Sequence, residues 1–135
     1  MRKYLNFIKE NPMGFLATTD KNGKPRVRGF GIMITEDNKI FFGTSNKRRT
    51  FSQLKVNPYA EWIAKSKKSS TLRVSGDVVI EKDMQIKLNT IENSPVIKNL
   101  YAGREDEFEM FYLENVEYDW FEMKMTIPIK EKRSS

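Results

Sequence analysis

The sequence predicts a mainly β protein, built as an antiparallel barrel or sandwich with a few short helices. About seven segments carry the apolar or alternating pattern of strands, and most follow one another through tight turns. Helical patterns are few and short. No strand–helix–strand rhythm recurs, and the GFG at 29–31 lacks the rest of a G-x-G-x-x-G fingerprint, so a dinucleotide-binding parallel fold is rejected.

Turns and prolines delimit the elements of the first half of the chain. Asn22-Gly23 supplies the positive φ angles that a hairpin turn needs, so the segments on its two sides are expected to pair. The Asn-Pro pairs at 11–12 and 57–58 each end a helix. The predicted elements are a helix over 2–11, strands over 13–19, 25–35 and 40–44, and a helix over 47–56.

The second half continues with longer strands and two short helices. Leu72, Val74 and Val78 alternate along one apolar segment, as expected for a strand with one buried face. Ser94-Pro95 begins a helix, because Ser caps and Pro suits the first helical position. The predicted elements are strands over 59–64 and 71–80, a helix over 83–91, a second helix from Ser94-Pro95, and strands over 108–112 and 116–129.

The composition excludes several classes of active site. The 135 residues suit one domain, and they include no cysteine and no histidine. Catalytic triads, thiol nucleophiles and the usual metal and haem ligands are therefore ruled out, and no metal site is expected. Difficult chemistry would have to come from an organic cofactor. No run reaches membrane-spanning length, so the cytoplasm is the default location.

One stretch, FFGTSNKRRTFSQL at 41–54, predicts an anion site. An apolar strand ends in a Gly-Thr-Ser-Asn turn, and three cations then stand where a helix begins. Each cation at the positive end of a helix dipole costs a few tenths of a kcal/mol unless an anion lies there. Arg48 and Arg49 could each form bidentate contacts with phosphate oxygens, while Lys47 is not expected to contact the ligand. A solvated helix start with surface cations is about equally compatible with the residues alone.

Other candidate sites are better explained by structure. Arg26 and Arg28 share one strand face beside Gly29 and Gly31, which suits a polar outer face as well as a flat ligand. Trp62, Tyr118, Trp120 and Phe121 are expected to pack in the core or an interface, and the acids at 105–109 to form a solvated turn.

The order of these segments resembles the pyridoxamine 5′-phosphate oxidase-like family of FMN-binding split barrels, and in particular its small single-domain members. The similarity runs from about Leu5 to Met123. The segments that carry it are PRVRGFG, KIFFGTSNKRR, QLKVNP, TLRVSG and FEMFYL. The resemblance implies an antiparallel split β-barrel homodimer with two FMN sites at the subunit interface. It implies one FMN-binding domain over 1–129 and a charged, disordered tail over 130–135.

The family's cofactor contacts can be carried over to this sequence. Its flavin-contacting strand falls on Arg28 to Met33, and the phosphate is expected near the start of the second helix. A polar residue from the partner subunit, which falls near Thr71, and a C-terminal aromatic on Tyr118 or Trp120 complete the site. The implied FMN contacts are Arg28, Gly29, Phe30, Gly43, Thr44, Arg48, Arg49, Thr50, Thr71 and Trp120.

Departures from the family bear on the activity. Met33 stands where the vitamin B6 oxidases end the flavin strand with Lys, and the tail lacks their Arg-x-His motif, which argues against vitamin B6 oxidation. The resemblance favours an FMN-dependent oxidoreductase that takes hydride from NADH or NADPH and reduces a small acceptor such as a nitro compound or quinone. No catalytic side chain is identified. The alternatives are an FMN-binding sensor or store, a deazaflavin-binding relative, and a basic nucleic-acid-binding barrel, for which the charge alone makes a weak case.

Overall fold

The computed structural model describes residues 2–35 and 37–122, and places seven strands in one antiparallel sheet. The sheet order is β2-β1-β5-β6-β7-β4-β3. The elements, in chain order, are α1 (Arg2–Glu10), β1 (Met13–Thr19), β2 (Pro25–Gly31), β3 (Met33–Ile34), β4 (Ile40–Ser45), α2 (Arg49–Val56), β5 (Tyr59–Lys65), β6 (Ser70–Ile80), α3 (Met84–Asn93), α4 (Pro95–Leu100), a 3₁₀ turn (Glu105–Glu107) and β7 (Phe108–Glu122).

The sheet curls into a half-barrel because its two edges are consecutive in the chain. β2 forms one edge and β3 the other, and only Ile32 separates them. A seven-stranded sheet whose edges lie one residue apart cannot be flat. The prediction of a mainly β, antiparallel barrel with short helices is therefore confirmed.

The concave side of the sheet holds the core. Trp62 is fully buried there, and its indole nitrogen donates a hydrogen bond to the carbonyl of Phe30 at 3.0 Å. Gly14 leaves space for this ring, since a Cβ at that position would lie 2.7 Å from the indole. Helices α1 and α2 add Phe7, Ile8 and Leu54 to the same cluster.

A second, smaller core lies on the convex side of β4 and β7. Phe41, Phe108 and Met110 pack there against Ile91 of α3 and against Tyr101, which follows α4. This packing places the α3–α4 pair beside the strand that leads into α2. Within the part of the chain that the structure describes, no helix has the length and apolar composition to cross a membrane.

Three boundaries differ from the predictions. The strand predicted over 25–35 is broken at Ile32, which stands opposite Pro12 at the end of the β1–β2 ladder. The N–H of Ile32 still donates to the carbonyl of Pro12, but proline has no N–H with which to return a hydrogen bond. Helix α2 begins at Arg49 rather than at 47. Two strands were predicted over 108–112 and 116–129, but residues 108–122 form a single strand. This strand contains a bulge beside Asn115, where φ is 53°. Residues 123–129 and the predicted tail lie outside the described residues.

Candidate functional site

A groove of about 870 Å³ lies between the β1–β2 hairpin and helix α2, and we call it the hairpin groove. Its size is in the range of small-molecule and cofactor sites. It includes four of the ten predicted contact residues, which come from two distant parts of the sequence. The groove is lined by Asp20, Lys21, Asn22, Pro25, Arg26, Val27, Arg28, Arg48, Arg49, Thr50, Ser52, Gln53 and Val56.

The start of helix α2 presents donors and cations to this groove. Arg48 is the N-cap residue, in extended conformation, and its side chain makes no capping hydrogen bond. The first N–H groups of a helix have no intrahelical partner. Here the N–H of Phe51 donates to the carbonyl of Arg48 at 3.2 Å, which leaves those of Arg49 and Thr50 available to a ligand. The first turn contains no acid, and the side chains of Arg48 and Arg49 are exposed. An anion at this end would turn an unfavourable dipole interaction into a favourable one.

Arg28 lies on the strand wall of the groove and is held there by hydrogen bonds to both walls. Its Nη1 donates to Thr18 Oγ1 and its Nη2 to Gln53 Oε1, both at 2.8 Å. Thr18 Oγ1 in turn donates to the same Gln53 oxygen at 2.6 Å, so hairpin and helix share one network. Partial burial lowers the pKa of the Arg28 guanidinium below its ordinary value, but arginine remains charged in proteins.

The hairpin turn and α2 are fixed together by a second contact. Asn57, which ends α2, donates through Nδ2 to the carbonyls of Thr19 and Asp20 at 3.2 and 3.1 Å. The two walls of the groove are therefore joined at the middle of the helix, through Gln53, and at its C-terminal end, through Asn57, so the cations are carried on a preorganised frame.

The charges of the groove are unbalanced. Arg26 is paired with Asp20 at 3.0 Å. Hydrogen bonds from the backbone of Lys24 and Asn22, together with the Arg26 guanidinium, hold the pKa of Asp20 below its ordinary value. Among the residues that the structure describes, no ion pair involves Arg28, Arg48 or Arg49. The three guanidinium groups make the groove a site for an anion.

Four other predicted contacts, Gly29 and Phe30 on β2 and Gly43 and Thr44 on β4, do not line the hairpin groove. Gly29 lies on the convex face with no atom within 4 Å of the position of a Cβ, while the ring of Phe30 packs into the core. A Cβ on Gly43 would lie 2.6 Å from the ring of Phe108, so packing within the chain explains that glycine. Thr44 is buried. Their roles toward a flavin remain predictions.

The last two predicted contacts, Trp120 and Thr71, also lie outside this groove. Trp120 packs on α1, with its ring edge-on to Phe7 at 5.2 Å and the Lys3 ammonium 4.1 Å from its centroid. Thr71 is buried opposite Phe121 in the β6–β7 ladder. The prediction for Thr71 concerned a partner subunit, which a single chain does not test.

Sequence reasoning missed the neutral and acidic members of the groove. Gln53, Thr18 and Asp20 hold the arginines in position but belong to no motif. The Asn-Gly turn fixes the β1–β2 register, so the proximity of Thr18 to the arginines of β2 could have been read from it. The contact with Gln53 depends on how α2 docks, which no local pattern reveals.

The comparisons with known proteins agree with this geometry. The family model described as pyridoxamine 5′-phosphate oxidase matches residues 1–98. The chain belongs to the pyridoxamine 5′-phosphate oxidase family. The match covers the hairpin, β4, α2 and the hairpin groove, which confirms the resemblance found in the sequence. No curated protein sequence matches the chain.

Solved structures extend the similarity over most of the chain. A NimC/NimA family protein from Clostridium acetobutylicum has 30% identity and a TM-score of 0.80, over 92% of this chain and 86% of that one. A pyridoxamine 5′-phosphate oxidase-related, FMN-binding protein from Nostoc punctiforme has 17% identity and a TM-score of 0.66, over 79% and 73%. An F420 reductase has 20% identity and a TM-score of 0.65, over 84% and 94%. The last two share the fold.

Proposed function

We propose that this chain binds FMN in the hairpin groove as a homodimer, and that it is an FMN-dependent oxidoreductase. The observation that carries the proposal is a set of three guanidinium groups that make no ion pair within the described residues: Arg48 and Arg49 at the uncapped start of α2, and Arg28 on the facing strand β2. The family match and the FMN-binding relative from Nostoc punctiforme support the choice of ligand.

The groove suits the 5′-phosphate of the cofactor in charge and geometry. A phosphate monoester carries about two negative charges at neutral pH. Arg28 is oriented by Thr18 and Gln53, and Arg49 stands on the first turn of the helix. Together they can donate to different oxygens, while the backbone of the first turn supplies further N–H groups. Thr50, also in the first turn, lines the groove but is a weaker partner than a cation.

The planar part of the cofactor has a suitable surface beside the groove. Val27 lines the groove and lies on the convex face of β2, where Gly29 and Gly31 follow at alternate positions. Gly29 leaves open space, so a flat ring can approach the backbone there. The ring would then lie on the outer face of the sheet and would need a second surface to cover it.

A second copy of the chain is the cover that we propose. Met13, Phe15 and Val27 are 73, 57 and 66% exposed, and the β1–β2 register places them on one face. Adjacent apolar residues on a flat sheet face favour association. Such a dimer would bury both the apolar face and the ring.

The reaction we propose is reduction of a small acceptor at the expense of NADH or NADPH. FMN, when bound, supplies hydride acceptance and electron transfer. The chain supplies binding and orientation, because it has no histidine or cysteine to act as a base or nucleophile. Protons would come from water or from Tyr or Lys side chains. Met33 in place of the family's Lys argues against vitamin B6 substrates, and nitro compounds or quinones are the acceptors to test first.

The first test is the absorption spectrum of the protein purified without added cofactor. We expect a flavin spectrum, release of FMN on heating, and bleaching when NADH or NADPH is added without oxygen. Flavin that binds but is never bleached by either donor would refute the enzyme and leave a sensor or store. A colourless protein that also fails to bind added FMN would refute the whole proposal, and salt-sensitive oligonucleotide binding would then become the leading hypothesis.

A further inference from the structure

A second cleft lies on the other side of the start of α2, between that helix and the segment after α4. We call it the Tyr101 cleft, and its volume is about 340 Å³. It shares Arg48 with the hairpin groove but none of the other arginines of that groove. The cleft is lined by Ser45, Lys47, Arg48, Leu100, Tyr101, Arg104 and Glu107.

Tyr101 combines a buried ring with a hydroxyl that is open to solvent, and it lines this cleft together with Arg48, Arg104 and Glu107. The residue is only 6% exposed, and its ring packs edge-on against Phe108 at 5.1 Å. Its hydroxyl makes no hydrogen bond to any residue within 2–35 or 37–122. Water can therefore serve as its partner, and a ligand bound in the cleft can replace that water.

Two of the three cations that line the cleft have no ion-pair partner within the described residues. Arg104 pairs with Glu107 at 3.3 Å and also donates to the carbonyl of Leu100 at 3.1 Å. Glu107 accepts a further hydrogen bond from Ser45 Oγ at 3.2 Å. Lys47 and Arg48 have no ion pair with the described part of the chain. The side chains that line the cleft therefore carry a net charge of about +2, and they lie beside the positive end of the α2 helix dipole.

We propose that the Tyr101 cleft binds the phosphate group of a small phosphorylated molecule, at a site separate from that of the cofactor phosphate. Two uncompensated cations match the charge of a phosphate monoester, whereas a single carboxylate would neutralise only one. The Tyr101 hydroxyl and the Lys47 ammonium can donate to different phosphate oxygens. Because the tyrosine ring is covered, the cleft offers little surface for stacking, which favours an aliphatic or sugar phosphate over a nucleotide base.

The test is an amide NMR titration of the full-length protein with inorganic phosphate, at ionic strength held constant with sodium chloride. Saturable shifts are expected at Lys47, Tyr101 and Arg104, and they should persist when the protein is saturated with FMN. Shifts that FMN abolishes by competition would make the cleft part of the cofactor site and overturn a separate one. Absence of saturation would also overturn it, whether or not the protein proves to bind FMN.

Matched variants separate the site from general charge effects. Tyr101→Phe keeps the packed ring and removes the hydroxyl, and Lys47→Gln removes one cation. Each should weaken phosphate about tenfold, the effect of one hydrogen bond to a charged group. Tyr59→Phe removes a tyrosine hydroxyl at the start of β5, outside both clefts, and should leave phosphate affinity unchanged.

Two results would refute the assignment. If Tyr101→Phe binds phosphate as tightly as the wild type, the hydroxyl is not a ligand. If acetate binds as tightly as phosphate at equal ionic strength, the cleft is a carboxylate site and the proposed ligand class is wrong.

Discussion

Replacing both Arg48 and Arg49 with Ala should weaken FMN binding and at the same time stabilise the empty protein. A hydrogen bond to a charged group contributes about 1.5–3 kcal/mol, and the lower value applies here because both side chains are exposed. Two such contacts amount to about 3 kcal/mol, which corresponds to a dissociation constant about 100-fold higher.

The effect on the empty protein has the opposite sign. Each cation at the start of α2 opposes the helix dipole by about 0.3–1 kcal/mol, so removing two should raise the unfolding free energy by about 1 kcal/mol. A variant that merely damaged the fold would lose stability as well as flavin. The opposed changes therefore distinguish a ligand site from a structural one.

The assay is quenching of FMN fluorescence for affinity and urea unfolding of the flavin-free protein for stability. Lys67→Ala with Lys68→Ala is the matched control, since it removes the same charge from an exposed loop. If the arginine variant binds FMN within about threefold of the wild type, or if the control weakens binding equally, the phosphate does not lie at the start of α2.

Three further predictions follow from single positions. Gly43→Ala should lower the unfolding free energy, measured with urea, by about 1–3 kcal/mol because the new Cβ would meet the Phe108 ring. Gly29→Ala, where the space is open, should change it by less than about 0.5 kcal/mol. Equal effects of the two substitutions would contradict the packing argument. If the protein is the homodimer that we propose, Phe15→Glu should convert it to a monomer in sedimentation while Val96→Glu on α4 does not; a dimer that survives Phe15→Glu places the interface elsewhere. Burial raises the pKa of Tyr101 above its ordinary value of 10.0, so the unfolding free energy should fall as pH rises through and above about 10. Urea unfolding at about pH 9 and pH 11 measures this fall, and Tyr101→Phe should make it smaller.

Local chemistry was enough to predict most of the elements. The Asn-Gly pair predicted the β1–β2 hairpin, and Gly23 indeed takes a φ of 80°. The break at Ile32 was missed because its cause lies in the opposite strand segment: the β1–β2 register places Pro12 across from Ile32, and proline has no N–H to continue the ladder. The bulge beside Asn115 is likewise set by pairing between β6 and β7 and leaves no local signal.

The candidate site was predictable only where its residues are neighbours in sequence. Arg48 and Arg49 were found because the cost of cations at a helix start can be judged from a few residues. Arg28 was assigned through the family resemblance, since the sequence around it, taken alone, favoured a polar outer sheet face. The packing role of Gly43 required the position of Phe108, which lies far along the chain and reaches it only through the β4–β7 ladder.

The three adjacent cations were puzzling as a single anion site, because they cannot all face one ligand. In the structure the start of α2 separates two clefts. Arg49 lines the hairpin groove, Lys47 lines the Tyr101 cleft, and Arg48 lines both. Lys47, expected to be a bystander, is therefore better explained as a ligand for a second anion. If both clefts bind phosphate, Arg48 would be shared, and the two ligands would compete for its charge. Coupling between the sites would then be negative, and it would depend on this residue.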